Sequence, residues 1–202
     1  MPDGSQPTAA TARFLWLAVM SEAGLGLVAV AWILWRQLPL AILTDVSDVG
    51  LGAAVAVALA MCNVGVLRYG PNVRPVRSVR RFYERVLRPL FERLRPLQIV
   101  GLSAAAGVGE ELLFRGAVQP ELGLVAASVL FGLVHIGGAD MIAFGVWAAA
   151  VGALLGWLAS ATGGLLAPMT AHAVYDALVL VYIVRVPRDR AAPDQHREEP
   201  LP

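Results

Sequence analysis

The sequence contains no lysine and only one cysteine, and it is poor in charge of either sign. All sixteen basic residues are arginines, and charged residues make up 15% of the 202 residues against 57% that are hydrophobic. The lone Cys62 excludes an intrachain disulfide scaffold. So few charges cannot cover an ordinary soluble domain, and the hydrophobic content excludes a disordered chain. With a mean hydropathy of +0.65, the class that remains is a membrane protein.

Three local signatures of familiar enzymes are also missing. The sequence has no HExxH of zinc proteases, no GxSxG with a distant histidine, and no GxxxxGK[ST] of nucleotide enzymes. A catalytic site must therefore come from polar side chains that separate parts of the chain bring together.

Long apolar runs predict an all-α fold, a polytopic membrane helical bundle of about six transmembrane helices. A bilayer core of roughly 30 Å requires about 20 apolar helical residues. The predicted spans are 14–35, 49–67, 97–118, 122–135, 141–160 and 164–184. The fourth is short, so we expect it to be re-entrant, to tilt little or to continue beyond Gly138.

The arginines predict orientation and domain organisation. Nine of the sixteen lie between Arg68 and Arg95, whereas the loops on the opposite side carry almost none besides Arg36. The positive-inside rule then places this segment and both termini in the cytoplasm, on a multi-pass protein of the plasma or inner membrane. The predicted parts are a cytoplasmic N-terminus (1–13), two transmembrane helices (14–67), a basic amphipathic segment (68–96), a catalytic membrane core (97–184) and a disordered cytoplasmic tail (185–202).

The basic segment, residues 68–96, carries the pattern of an amphipathic interfacial helix. Its apolar residues recur three or four apart, while its arginines crowd the other side. The apolar set is Val79, Phe82, Tyr83, Val86, Leu87, Leu90, Phe91 and Leu94, and the opposite set is Arg80, Arg81, Arg85, Arg88 and Arg95. Pro89 weakens the middle, so two shorter pieces are an alternative. We expect anionic lipid as the partner of this segment, and no nucleic acid.

Seven ionisable residues fall within the predicted spans, where their cost in hydrocarbon makes each a candidate for function. They are Glu22, Glu110, Glu111, Arg115, His135, His172 and Asp176. Glu111 and Arg115 are four residues apart on one helix face, which predicts a supporting ion pair. Glu110 is turned about 100° from Glu111, so its partner must come from another helix or from water. Glu22 joins no cluster, and we expect it to be structural or to face lipid.

Two histidines complete the candidate site. His172 shares a helix face with Asp176, and His135 stands alone on another span. Glu110 with these histidines could activate water, the glutamate as general base and a histidine passing the proton. The same three groups could instead hold a catalytic zinc ion, because two histidines and one glutamate with an open position form such a ligand set. Spacing leaves both alternatives open, so zinc is a conditional cofactor.

Depth in the bilayer sets a condition on this site. At 1.5 Å per residue from the outer helix ends, Glu110 and His172 lie about 12 Å deep, but His135 lies about 20 Å deep if its helix starts at Leu122. A site shared by three helices therefore predicts that the fourth span is not a simple perpendicular helix.

Three motifs occur in order on successive spans. They are EExxxR at 110–115, FxxxH at 131–135 and HxxxD at 172–176. Together they resemble the CAAX-protease and bacteriocin-processing family of intramembrane endopeptidases, also called the Abi family, over residues 97–184. The resemblance implies an all-helical membrane fold with the site in a cavity between helices.

The resemblance also implies roles for the motif residues. Glu110 and His135 would activate the attacking water, and the Glu111–Arg115 pair of the first motif would support them. His172 and Asp176 would stand where the family has an oxyanion-stabilising His and Asn. Asp176 departs from that pattern, because an ionised carboxylate cannot donate a hydrogen bond to an oxyanion. Its alternative role is to orient His172.

The sequence therefore predicts an intramembrane endopeptidase, similar to CAAX prenyl proteases, that acts on a membrane-associated peptide or protein. A non-proteolytic immunity or partner-binding protein of the same fold is one alternative, and it should tolerate Glu110→Gln. A small ion or proton carrier is another, against which the sequence shows no repeat and no second polar pathway.

Overall fold

The structure is a computed structural model that describes residues 9–43 and 45–186. Within these residues the chain is helical and contains no strand, which confirms the all-α prediction. The predictions for residues 1–8 and for the tail at 187–202 fall outside the described part. The helices are α1 (Ala9–Arg36), α2 (Ser47–Tyr69), α3 (Arg74–Phe82), α4 (Arg88–Phe91), α5 (Pro96–Glu111), α6 (Gln119–Val134), α7 (Ile142–Thr162) and α8 (Leu166–Arg185), with π-helical turns at Tyr83–Leu87 and Leu112–Val118 and a 3-10 turn at Ala139–Met141.

Five helical stretches of the described part of the chain are long and apolar enough to cross a membrane, and the chain is a multi-pass membrane protein. They are Arg13–Arg36, Ser47–Tyr69, Pro96–Val134, Ala139–Thr162 and Leu166–Arg185. The third stretch joins two of the six predicted spans. Its 39 residues would extend for about 58 Å as a straight helix, nearly twice the thickness of a bilayer core. It therefore cannot cross once as a straight rod.

The long stretch folds back on itself at Gly123. This residue has φ 83° and ψ 165° inside an otherwise helical run, a conformation that favours glycine. The rings of Phe114 and Phe131, on either side of it, lie 4.9 Å apart between centroids. A straight helix would hold residues with that sequence separation about 25 Å apart. The two arms of this hairpin therefore correspond to the third and fourth predicted spans.

The hairpin brings two candidate catalytic residues to one level. Glu110 lies 13 residues before Gly123 and His135 lies 12 residues after it, which is about 20 Å and 18 Å along the two arms. The depth mismatch in the sequence prediction arose because the third span was ended at Val118, before the turn. The longer third arm alone brings the two residues to one level, so the site does not require the fourth span to depart from a simple perpendicular helix.

Each π-helical turn ends two residues before a proline. The turn Tyr83–Leu87 comes before Pro89, and the turn Leu112–Val118 comes before Pro120. Proline has no backbone N–H and its ring clashes with the carbonyl four residues back, so widening the preceding turn accommodates it. Pro89 therefore leaves the basic segment helical from α3 to α4.

Two arginines of the basic segment face the bundle. Arg80 donates to the carbonyl oxygens of Leu67 and Gly70 at the end of α2, at 2.8 and 2.6 Å. Arg88, which is buried, donates to two carbonyls at the end of α8, at 3.1 and 2.6 Å. Both satisfy carbonyls that lack partners within their own helices. The expected position of these two arginines on the outer polar face is wrong.

These contacts define two ends of the bundle. The basic end is where Arg80 and Arg88 cap α2 and α8. At the opposite end, Arg36, the last residue of α1, pairs with Glu121 beside the hairpin turn at 2.7 Å. The bundle is thus tied at both ends, and the residues in between form its interior.

Candidate functional site

A cavity of about 340 Å³ lies between the middle of the bundle and the basic segment. All four predicted catalytic residues line it, although they come from three separate parts of the chain. Its carboxylate, imidazole and amide lining consists of Glu22, Asn63, Glu110, His135, His172 and Asp176, and the phenols of Tyr83 and Tyr175 line it as well. The structure thus brings together the residues that the three motifs contribute.

The apolar face of the basic segment closes one side of this cavity. Val79, Tyr83, Leu87 and Phe91 are spaced four residues apart, and all four line it. This face was predicted to enter the membrane. Much of it instead covers the polar site, while Val86 stays 43% exposed.

Glu111 is the centre of a buried ionic cluster, which consists of Glu111, Arg115 and His172. Its side chain is fully buried, and its Oε1 accepts a hydrogen bond from Arg115 Nη1 at 2.9 Å. The same oxygen lies 2.8 Å from Nδ1 of His172 on α8. Arg115 also donates to the carbonyl oxygen of Gly152 at 2.9 Å. The predicted ion pair is present, and it extends to a histidine that sequence spacing could not assign to it.

His172 lies between two carboxylates. Its Nδ1 donates to Oε1 of Glu111, which fixes the ring and directs Nε2 toward Asp176. The distance from Nε2 to Asp176 Oδ2 is 3.6 Å, longer than a hydrogen bond. The Asp176 carboxylate therefore neighbours the free side of the ring without being bonded to it.

His135 is held by the residue that opens its own motif. Its Nδ1 donates to the carbonyl oxygen of Phe131 at 2.7 Å, and the two rings lie 4.7 Å apart. Phe131 also receives the guanidinium of Arg115 over its face at 4.6 Å, within the range of a cation–π contact. With Nδ1 engaged, Nε2 of the neutral ring remains as an acceptor.

Glu110, unlike its neighbour Glu111, has a carboxylate that faces the cavity. It lines the cavity, and its buried Oε2 has no hydrogen-bond partner among the described residues. This agrees with its predicted direction, away from the face that carries Arg115. Glu110 therefore presents an acceptor that a bound molecule can use.

Glu22 belongs to the same cavity, so the predictions that it joins no cluster and that it faces lipid are wrong. It lies on α1 and lines the site. A side chain at Gly109 would run into the backbone carbonyl of Glu22, so the missing Cβ lets α1 pack directly against α5. Glu22 carries no motif, and its only sequence signal was that of an acid within an apolar span.

The conditional zinc ligands do not form a metal site in this geometry. Across residues 9–43 and 45–186, no group of three or more His, Cys, Asp or Glu side chains is arranged to hold a metal ion. Nδ1 of His172 is taken by Glu111, and Nδ1 of His135 by a backbone carbonyl. Glu110, His135 and His172 line one cavity without the convergence that tetrahedral coordination needs. Zinc dependence stays a prediction.

Comparison with known proteins places this site in a family. Residues 92–178 match the model of the Rce1-like family, described as type II CAAX prenyl endopeptidase Rce1-like. The match covers 87 of the 202 residues and includes all three motifs. The resemblance read from the motifs is thereby confirmed at family level.

One relative extends beyond the Rce1-like segment. The uncharacterized protein YpbD of Bacillus subtilis (strain 168) is 26% identical over 156 residues, which cover 76% of this chain and 77% of that protein. No solved structure matches the chain significantly. Glu22 and the cavity-facing part of the basic segment both lie outside the Rce1-like segment, although they line the same cavity.

Proposed function

We propose that this protein is an intramembrane endopeptidase that hydrolyses a peptide bond of a membrane-associated peptide or protein with an activated water. The observation that carries the proposal is the free buried oxygen of Glu110 in a cavity shared with His135, His172 and Asp176. The Rce1-like match of the segment that holds all four supports the same reaction class.

Glu110 is the proposed general base. Its carboxylate takes a proton from water as the oxygen attacks the carbonyl carbon of the peptide bond. His135, fixed through Nδ1, offers Nε2 as an acceptor through which the proton on Glu110 can pass to the leaving amine. The amine leaves with a proton returned from Glu110, which restores the carboxylate and balances the hydrolysis.

His172 is the proposed oxyanion-stabilising group. Its Nδ1–H is committed to Glu111, so a protonated ring would direct its second N–H, at Nε2, into the cavity. Asp176 lies beside that nitrogen and favours the charged ring, which supports an orienting role over direct donation to the oxyanion. The Glu111–Arg115 pair fixes His172 from behind.

The substrate is expected to be largely apolar next to the scissile bond. Outside the polar groups, the cavity is lined by aliphatic and aromatic side chains such as Leu102, Phe144 and Val179. An apolar wall with a few directed polar groups is the usual form of a specific pocket.

The test is cleavage by the full chain in lipid nanodiscs, with a membrane proteome and a peptide library as substrates. We expect the parent to cleave, Glu110→Gln to lose at least about 1,000-fold in kcat/KM, and His135→Ala to lose about 100-fold or more. Glu121→Gln is the matched control, because Glu121 lies outside the cavity and pairs with Arg36. It should retain activity.

Chelator and zinc arms decide the metal question in the same assay. Activity that survives chelation supports water activated by Glu110 without metal. Activity lost on chelation and restored by zinc would mean that Glu110, His135 and His172 rearrange into a ligand set. A parent that cleaves nothing but retains a bound partner after Glu110→Gln would support the partner-binding alternative.

We also propose that the protein lies in the plasma or inner membrane with its basic end in the cytoplasm. The segregation of arginine supports this orientation. The variant Arg77→Cys, in a Cys62→Ser background, should react with an impermeant maleimide in inverted vesicles and not in intact cells. The opposite result would reverse the topology.

A further inference from the structure

Among the described residues that line the cavity, Glu22 is the one acidic residue that the motifs do not account for. It lies on α1, outside the Rce1-like segment, yet it lines the site together with Glu110. Ala18, one helical turn earlier, lines the cavity as well. One side of α1 therefore faces the candidate catalytic centre.

The packing of α1 on α5 sets Glu22 beside Glu110. Gly109 immediately precedes Glu110, and a Cβ there would meet the carbonyl oxygen, carbonyl carbon and Cα of Glu22. One turn further along α1, a Cβ at Gly26 would lie 3.7 Å from Cα of Gly109. The two glutamates thus project from backbones that touch, which a side chain at either glycine would disturb.

The two carboxylates share an unmet hydrogen-bonding need. Oε2 of Glu22 and Oε2 of Glu110 are both buried, and neither has a partner among the described residues. The imidazole Nδ1 donors of the cavity are committed, since His172 binds Glu111 and His135 binds a backbone carbonyl. An unsatisfied buried acceptor costs roughly 1–3 kcal/mol, and such groups call for a functional or solvent explanation.

A single water molecule meets this need. Water has two O–H donors, so it can donate one hydrogen bond to each carboxylate. Its lone pairs then point away from both glutamates, toward a carbonyl carbon placed in the cavity. The nearby charges that face Glu22 are Glu110, His172 and Asp176, and among them only the histidine can oppose the negative charge.

We propose that Glu22 is a positioning residue, which accepts one hydrogen bond from the attacking water while Glu110 accepts the other and takes the proton. The inference rests on the proposed endopeptidase function. Two fixed acceptors orient the water, whereas Glu110 alone would let it rotate.

The kinetic test uses the full chain in nanodiscs with a substrate that the parent cleaves. Glu22→Leu removes both acceptors at similar volume, so kcat should fall by about 100-fold while KM stays within about twofold. Glu22→Gln keeps one acceptor oxygen and should recover at least about tenfold of that loss. Ser21→Ala is the matched control, because Ser21 is exposed and bonds only the carbonyl of Ala18. Its kcat should be that of the parent.

A second measurement does not depend on cleavage. Infrared difference spectra in H2O and D2O report the carboxyl bands of buried glutamates. Glu110→Gln identifies the Glu110 band by removing it, and Glu22→Gln should shift that band if the two groups share a water. Ser21→Ala should leave it in place.

The outcomes separate the two proposals. If the parent cleaves and both Glu22 variants match it in kcat, the positioning role is overturned and the endopeptidase stands. If the parent cleaves nothing, the proposed function fails, and an unshifted Glu110 band then overturns the shared water as well. A rise in KM with unchanged kcat would make Glu22 a substrate contact and would also overturn it.

Discussion

The buried ionic cluster and the basic segment both place arginine against protein, but they compensate its charge differently. Arg115 is paired with Glu111 inside the bundle, with an extra bond to the Gly152 carbonyl. Arg88 of the basic segment also forms an ion pair, with Glu84. In addition it donates hydrogen bonds to two backbone carbonyls at the end of α8. A cluster in the interior needs a full counter-charge, whereas at a helix end the partial charges of free carbonyls contribute.

The difference also concerns what is left free. In the interior, the free groups include one carboxylate oxygen each of Glu22 and Glu110, two residues that line the cavity. In the basic segment, the free groups are exposed guanidinium groups such as those of Arg81 and Arg85, for which the described residues provide no partner. The first kind suits catalysis and the second suits contact with a charged surface.

Removing the counter-charge in the interior should have the largest effect on stability. Glu111→Leu leaves Arg115 buried without its acid, so we expect the free energy of unfolding to fall by about 3–5 kcal/mol. Unfolding of the nanodisc or detergent-solubilised protein by denaturant or heat measures it. Glu111→Leu combined with Arg115→Met should recover part of the loss, and a double variant no better than the single one would contradict the pairing.

Removing the helix-capping arginine should cost less. Arg88→Met keeps most of the side-chain volume but removes the hydrogen bonds to the carbonyls at the end of α8. We therefore expect the free energy of unfolding to fall by about 1–3 kcal/mol. Arg85→Met, three residues away on the exposed side, is the matched control and should change stability by less than about 0.5 kcal/mol. Equal effects of the two variants would erase the distinction between capping and exposed arginines.

The position of the interior site depends on the hairpin at Gly123, which brings Glu110 and His135 to one level. Gly123→Ala forces a side chain into a backbone region that favours glycine, and we expect a loss of about 1–2 kcal/mol. Gly65→Ala is the control, since Gly65 is helical and a Cβ there meets nothing within 4 Å. It should leave stability unchanged or slightly raised. A neutral Gly123→Ala would mean that the turn is not fixed as described.

Neutralising the exposed arginines should have the smallest effect, and on membrane binding alone. We propose that Arg81 and Arg85 bind anionic lipid headgroups, at about 1 kcal/mol each. Replacing both with Gln should reduce the enrichment of phosphatidylserine around the full chain in mixed-lipid nanodiscs, more so at low salt. No change in lipid enrichment would contradict the proposal, while cleavage should be unaffected.

What could be predicted from the sequence followed from contacts within one helix. The Glu111–Arg115 pair and the proximity of His172 to Asp176 are consequences of helical spacing. The apolar face of the basic segment was predicted correctly as a face. The surface that this face covers could not be predicted. Periodicity gives the direction of a side chain on its own helix, but it does not identify the helix that packs against it.

The sequence by itself determined a multi-pass helical chain, the segregation of its arginines and the motif residues of an Rce1-like site. These depend on hydropathy and on helical periodicity, which are local. Only the tertiary structure decided that Glu22 joins the cavity, that Glu111 binds His172 and that Arg88 caps α8. The physical reason is that each of these contacts joins separate helices, whose approach is set by glycines such as Gly109 and by the reversal at Gly123.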